Sequence, residues 1–244
     1  MINRLSLILQ KNTKDFHPVV DFNPATDKLL ALDFTSNNKE LNDDIVAYTK
    51  HFTWFIDKKL QGYKYGIGGY NEDRILYKRS TYFNSNASKI SPKGGDLEVT
   101  RSIHLGIDLW APAGTKVHAP LGGVIHSFAY NNHFGDYGAT LILQHQLDGV
   151  AFHTLYGHVS LKDLAGLQEG KFINRGELIA HFGAQHENGD WPPHLHFQII
   201  EDMELKEGDY PGVCTNADRS KYLSNCPNPD LILDMMRYTS AVKP

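Results

Sequence analysis

Ala139-Thr-Leu-Ile-Leu-Gln-His145 is a short apolar run set between glycine turns. Thr115-Lys-Val-His-Ala119, Gly123-Val-Ile-His-Ser-Phe128 and Gly176-Glu-Leu-Ile-Ala-His-Phe182 repeat that texture within residues 101–200. Strands at such close spacing predict an antiparallel β-sandwich or partly closed barrel. The flanks read differently. Leu41, Ile45, Tyr48, Phe52 and Phe55 recur at steps of three and four, which predicts an amphipathic helix with an aromatic core face. Asn37 and Glu40 predict its capped start. Gly62, Gly66, Gly68 and Gly69 then read as turn glycines that end it. Gly66-Ile-Gly-Gly-Tyr70 lacks the spacing of a phosphate-binding loop. Residues 1–35 read as irregular with short apolar pieces, and 84–100 as a polar loop. Near the end, Leu231-Ile-Leu-Asp-Met-Met236 predicts a short docking helix. The expectation is a mainly β chain, α+β overall. It divides into an N-terminal supporting region (1–100), a β domain (101–200) and a tail packing on that domain (201–244).

Composition narrows the function. No apolar run approaches the roughly 20 residues that span a bilayer. The net charge of −4 provides no broad basic surface, so nucleic acid is not an expected partner. Two cysteines, Cys214 and Cys226, cannot make a disulfide framework or a four-cysteine metal site and read as free thiols, with a disulfide between them the alternative. Met1–Gln10 lacks the longer apolar stretch and cleavage site of a secretory signal, which fits either a cytoplasmic protein or a mature form. The unusual count is histidine, at thirteen, and most of these lie between His104 and His196.

Two spacings stand out among them. His104-Leu-Gly-Ile-Asp108 sets an imidazole and a carboxylate four residues apart, with Gly106 allowing a tight bend. His194-Leu-His196 sets two imidazoles at i and i+2. On a strand both rings take one face, and Leu195 and Phe197 take the other. Three ligands drawn from His and carboxylate, with one position open to water, describe a catalytic zinc site. His104, Asp108 and one histidine of the pair would supply them. The spare histidine, and His158 in Leu155-Tyr-Gly-His-Val159, could then contact the zinc-bound water or a developing oxyanion. Zinc would polarise the scissile carbonyl and lower the pKa of its water to near 7.

These residues carry a resemblance. His104-Leu-Gly-Ile-Asp-Leu-Trp-Ala-Pro-Ala-Gly-Thr-Lys-Val-His-Ala-Pro120, Gly122-Gly-Val124, Tyr156-Gly-His158, Phe172-Ile-Asn-Arg-Gly-Glu-Leu-Ile-Ala180 and His194-Leu-His-Phe197 resemble the lysostaphin-type, LytM-like zinc metallopeptidases that cut bacterial peptidoglycan peptides. The resemblance implies an antiparallel β fold of the duplicated-hybrid-motif type with its site in a groove. It implies zinc on His104, Asp108 and His196, with His158 and His194 as catalytic histidines. It implies a zinc-bound water attacking a peptide carbonyl, a peptidoglycan-derived substrate and a cell-envelope location. Gly66-Ile-Gly-Gly-Tyr-Asn-Glu72 and the tail around Asn225-Cys-Pro-Asn-Pro-Asp-Leu-Ile-Leu233 look similar to a subgroup fused to aminotransferase-like enzymes.

The chain departs from the family pattern before the final motif. A glycine, small hydroxyl, glycine segment is replaced by Glu187-Asn-Gly-Asp-Trp-Pro-Pro193, a bulkier groove wall. A catalytically silent zinc- or partner-binding module, or a hydrolase of another amide, are the alternatives. His118, His126, His133, His145, His153, His181 and His186 read as structural, with His145 the candidate to support the site from behind. Trp110 and Tyr156 read as core. Asn86 reads as a polar loop residue, although in latent family members an upstream asparagine blocks the zinc.

Overall fold

A computed structural model describes residues 3–85 and 99–240. The strands are β1 (Leu29–Leu32), β2 (Tyr65–Gly68), β3 (Asn84–Ser85), β4 (Val99–Thr100), β5 (Ile103–His104), β6 (Ile107–Trp110), β7 (Lys116–His118) and β8 (Gly123–Asn131). They continue as β9 (Gly138–Leu147), β10 (Val150–Val159), β11 (Phe172–Ile173), β12 (Leu178–His181), β13 (His194–Ile200), β14 (Val213–Cys214) and β15 (Thr239–Ser240). Nine of them form one sheet in the order β11-β8-β9-β10-β13-β6-β2-β1-β15. From β11 to β2 neighbouring strands are antiparallel, as expected; β1 joins parallel to both β2 and β15. No closed barrel forms among the described residues.

β13 lies between β10 and β6 and is buried along its whole length. Leu195, Phe197 and Ile199 face the main core with Leu109, Leu141 and Tyr156. Each such side chain taken out of water contributes roughly 1.5–3 kcal/mol. That burial pins the register, because a slip of one residue would drive Leu195 and Phe197 onto the polar face. His194 and His196 are thereby held on the opposite face.

The flanks hold more regular structure than their sequence suggests. α1 (Arg4–Lys11) starts at Asn3, whose side chain accepts from the Ser6 amide, and Leu5 and Leu9 on one face enter the main core. Eight residues are too few for periodicity to announce a helix. The predicted helix from Leu41 is two helices, α2 (Asp43–Ala47) and α3 (Thr49–Lys59), divided at Tyr48 where the backbone is extended. Asn42, not Asn37, caps α2 by accepting from the Ile45 amide. Phe52 and Phe55 reach a second core as expected, whereas Tyr48 is 60% exposed.

Gly66 and Gly68 are not turn residues but members of β2, Gly68 as its last residue. A Cβ on Gly66 would lie 2.6 Å from Leu32 Cδ1, and one on Gly68 would lie 2.7 Å from Arg74 Nη2. Their glycines serve close approach. The ends of the predicted polar loop, β3 and β4, pair with each other; Asn86 lies outside the described residues. The predicted docking helix is α5 (Asp230–Leu233), preceded by α4 (Arg219–Asn225), and Ile232 and Leu233 join the main core. Cys214 and Cys226 are free and buried. No helix among the described residues is long and apolar enough to cross a membrane.

Candidate active site

His104 ends β5, Asp108 lies in β6 and His196 in β13, and antiparallel pairing sets His196 directly opposite Asp108. All three are at least 97% buried. His104 Nε2 lies 3.0 Å from His196 Nδ1 and 3.3 Å from Asp108 Oδ1, which lies 3.1 Å from His196 Nδ1. Gly106 permits this approach rather than a bend. A Cβ there would stand 2.5 Å from the His196 ring.

The outer nitrogens set the tautomers. His104 Nδ1 faces the Gly69 carbonyl at 3.0 Å, which can only accept. His196 Nε2 faces Gln198 Oε1 at 2.9 Å, with the Tyr137 hydroxyl at 3.3 Å. Gln198 Nε2 donates to the Pro211 carbonyl, so its oxygen is the atom turned to His196. Both outer nitrogens therefore donate, and both inner ones carry lone pairs. Burial, then the Arg74 charge, hold His104 down to about 3, so it is neutral. Burial opposes ionisation of Asp108, but the Arg74 guanidinium paired with it outweighs that cost and holds the carboxyl well below its usual range. Two lone pairs and a carboxylate oxygen thus converge with no proton among them, an arrangement that could hold a metal ion.

His158 and His194 stand beside this cluster, their ring centroids 4.1 Å apart. His158 follows Gly157 at an irregularity in β10 and adopts φ 62°. Such a conformation is costly for a residue with a Cβ, and it turns the ring out of the strand's alternation. The Tyr137 ring crosses Gly157 where a Cβ would stand 2.4 Å away. His158 Nδ1 donates to the Asn188 carbonyl and His194 Nδ1 to the Pro192 carbonyl. Their Nε2 atoms have no hydrogen-bond partner among the described residues. Burial keeps both neutral, lowering His194 to about 4 and His158 well below its ordinary value.

All five residues singled out from sequence are therefore together. Asp108, His158, His194 and His196 line a cavity with Tyr137, Trp110, Trp191 and Gly212, and His104 lies behind them. Trp110 is core, as read, but it also stacks on His194 at 3.9 Å with an interplanar angle of 13°. Trp191 packs against Phe52 and Tyr77 and forms the bulky wall. His145 does not support the site. Its Nδ1 meets the Gly122 carbonyl just before β8 and its Nε2 the Thr154 hydroxyl on β10.

Sequence reading missed Arg74 and Tyr137. Arg74 is 2% exposed and pairs with Asp108 Oδ2 through Nη1 and with Glu72 through Nε at 2.7 Å. Its only sequence signal was its place shortly after a glycine-rich segment. Tyr137 had none beyond the glycine on its C-terminal side.

Among curated proteins, the DD-carboxypeptidase/endopeptidase Mpg of Neisseria meningitidis serogroup B is 33% identical over 134 residues, 54% of this chain and 26% of that protein. Its Neisseria gonorrhoeae counterpart is 32% identical over the same length and shares. The chain thus spans about a quarter of the curated relatives it matches, at 26%. Among solved structures, a zinc containing peptidase from Vibrio cholerae is 26% identical, covering 48% of this chain and 31% of that one, with a TM-score of 0.33. The catalytic domain of lysostaphin from Staphylococcus simulans is 22% identical, covering 49% and 80%, with a TM-score of 0.35. Residues 102–208 match peptidase family M23, and this segment of the chain is a domain of that family.

Proposed function

We propose that this chain is a zinc-dependent metalloendopeptidase of the lysostaphin type, with zinc on His104, Asp108 and His196 and with His158 and His194 as its catalytic histidines. One observation carries the reading: three metal-facing atoms sit 3.0–3.3 Å apart with no donor between them. A tetrahedral zinc with bonds of about 2.0–2.1 Å separates its ligand atoms by about 3.3 Å. Bound there, zinc would polarise the scissile carbonyl and acidify a water in its open position.

The chain's own groups complete the chemistry. His158 and His194 are neutral, with Nε2 free to accept the proton of the attacking water and return it to the leaving amine. While protonated, either can donate to the developing oxyanion. The Asn188 and Pro192 carbonyls hold each imidazole in the tautomer this requires. The flat contact with Trp110 steadies His194 and favours its charged form during transfer. Residues 101–200 form the catalytic domain in this reading. The region before them supports it through β2 and Arg74, and the tail packs on it.

The relatives named DD-carboxypeptidase/endopeptidase support a peptide substrate, and the lysostaphin resemblance favours peptidoglycan peptides. Incubating zinc-loaded protein with peptidoglycan fragments and a short peptide panel tests this. Cleavage that stops on chelation and returns with zinc is expected. Full zinc occupancy without cleavage of any of them would leave a silent binding module.

A further inference from the structure

Asp108 has two oxygens, and only Oδ1 faces His104 and His196. The other, Oδ2, is taken by Arg74 Nη1. The rest of that guanidinium is also committed, with Nε on Glu72 at 2.7 Å and Nη2 on the Gly69 carbonyl at 3.2 Å. The same Gly69 carbonyl accepts from His104 Nδ1. One backbone oxygen thus orients both Arg74 and a predicted ligand. The Arg74 side chain is 1% exposed, and its Cζ lies 5.2 Å from the Phe34 ring centroid. β2 pairs with β6 so that Gly68 stands opposite Asp108, and only glycine leaves room for Nη2 to pass.

We infer that Arg74, supplied from outside residues 102–208, is the positioning residue of the metal site and restricts Asp108 to ligation through one oxygen. The inference rests on the zinc reading above. A carboxylate free at both ends can grip a cation with both oxygens, and the second would take the position that water needs. With Oδ2 held by a charge-assisted bond, Oδ1 alone is offered. Glu72 balances the guanidinium charge, so a cation nearby is not opposed. The planar fork spans Asp108, Glu72 and Gly69 together, which a lysine ammonium on a flexible stem cannot do.

The test uses Arg74→Ala, Arg74→Lys and Glu72→Gln in the full chain. Metal-free melting curves establish folding, chelator competition measures zinc affinity, and the visible spectrum of the cobalt(II)-loaded protein reports coordination number. The wild type is expected to show the strong absorption of four-coordinate cobalt. Arg74→Ala should lose about 10–100-fold in zinc affinity, the usual effect of removing a ligand's partner. Its cobalt bands should weaken as Asp108 takes a second bond. Arg74→Lys, which keeps a donor for Oδ2, should recover part of both signals. Wild-type affinity and spectrum in Arg74→Ala overturns the inference, as does tighter zinc binding, which would make Arg74 a competitor of the metal. If Arg74→Ala does not fold, wild-type values in both Arg74→Lys and Glu72→Gln overturn it equally. Failure of the wild type to bind zinc at all removes instead the reading on which it rests.

Discussion

His145 on β9 and His194 on β13 are nearly sealed from solvent, 2% and 3% exposed, and burial pushes both imidazoles down to about 4. They differ in the second nitrogen. His145 spends both on fixed partners, the Gly122 carbonyl and the Thr154 hydroxyl. His194 spends only Nδ1, and its Nε2 shares a cavity with His158, His196 and Asp108. Burial and a lowered pKa are therefore not in themselves the marks of chemistry in this sheet. A ring nitrogen held ready by its partner on the other side, and aimed where other such atoms converge, is the better mark.

The sharpest way to break that contrast is to remove a predicted ligand. Asp108→Ala or His196→Ala should abolish zinc binding and cleavage together, whereas His145→Ala should leave bound zinc unchanged by elemental analysis. Tight zinc on the His196→Ala protein would sink the ligand assignment. Next in size are His158→Ala and His194→Ala. Each should keep zinc and lose about 10²–10⁴-fold in cleavage rate, the usual worth of a positioned acid or base. Loss of metal in either would move that residue into the ligand set.

The structural side of the contrast shows in acid. An unfolded imidazole takes its proton near 6.5, and buried His145 does so only near 4. Between those values the unfolded chain binds more protons, so stability falls as pH drops. The contribution is fully present above pH 6.5 and approaches a loss on the order of 3 kcal/mol below pH 4. Urea melts of metal-free protein across that range should be less steep in pH for His145→Phe than for the wild type. The smallest effect is that substitution at neutral pH. It strands the Gly122 carbonyl and should cost about 1–3 kcal/mol with zinc affinity unaltered.

Much of this could be read along the chain. Alternation on a strand put His194 and His196 on one face before any fold was known, and the burial of Leu195 and Phe197 holds them there. The spacing from His104 to Asp108 is legible for a similar reason, since both proposed ligands lie within one local segment and meet there. Elements set by distant partners were hidden. Gly66 and Gly68 look like turn residues until β1 and β6 close on either side of them. His145 looks like a supporting group until Thr154 arrives from the neighbouring strand.

By itself, the sequence determined the β texture, the five candidate site residues and the face on which the last two stand, because each depends on period and short spacing. Only the tertiary structure decided which nitrogen each histidine offers, that Arg74 closes on Asp108, and that His145 stays outside the site. Those outcomes turn on hydrogen bonds between residues well separated in the chain, 34 positions for Arg74 and Asp108 and 35 for Gly69 and His104. Such bonds exist only once the sheet has aligned its strands.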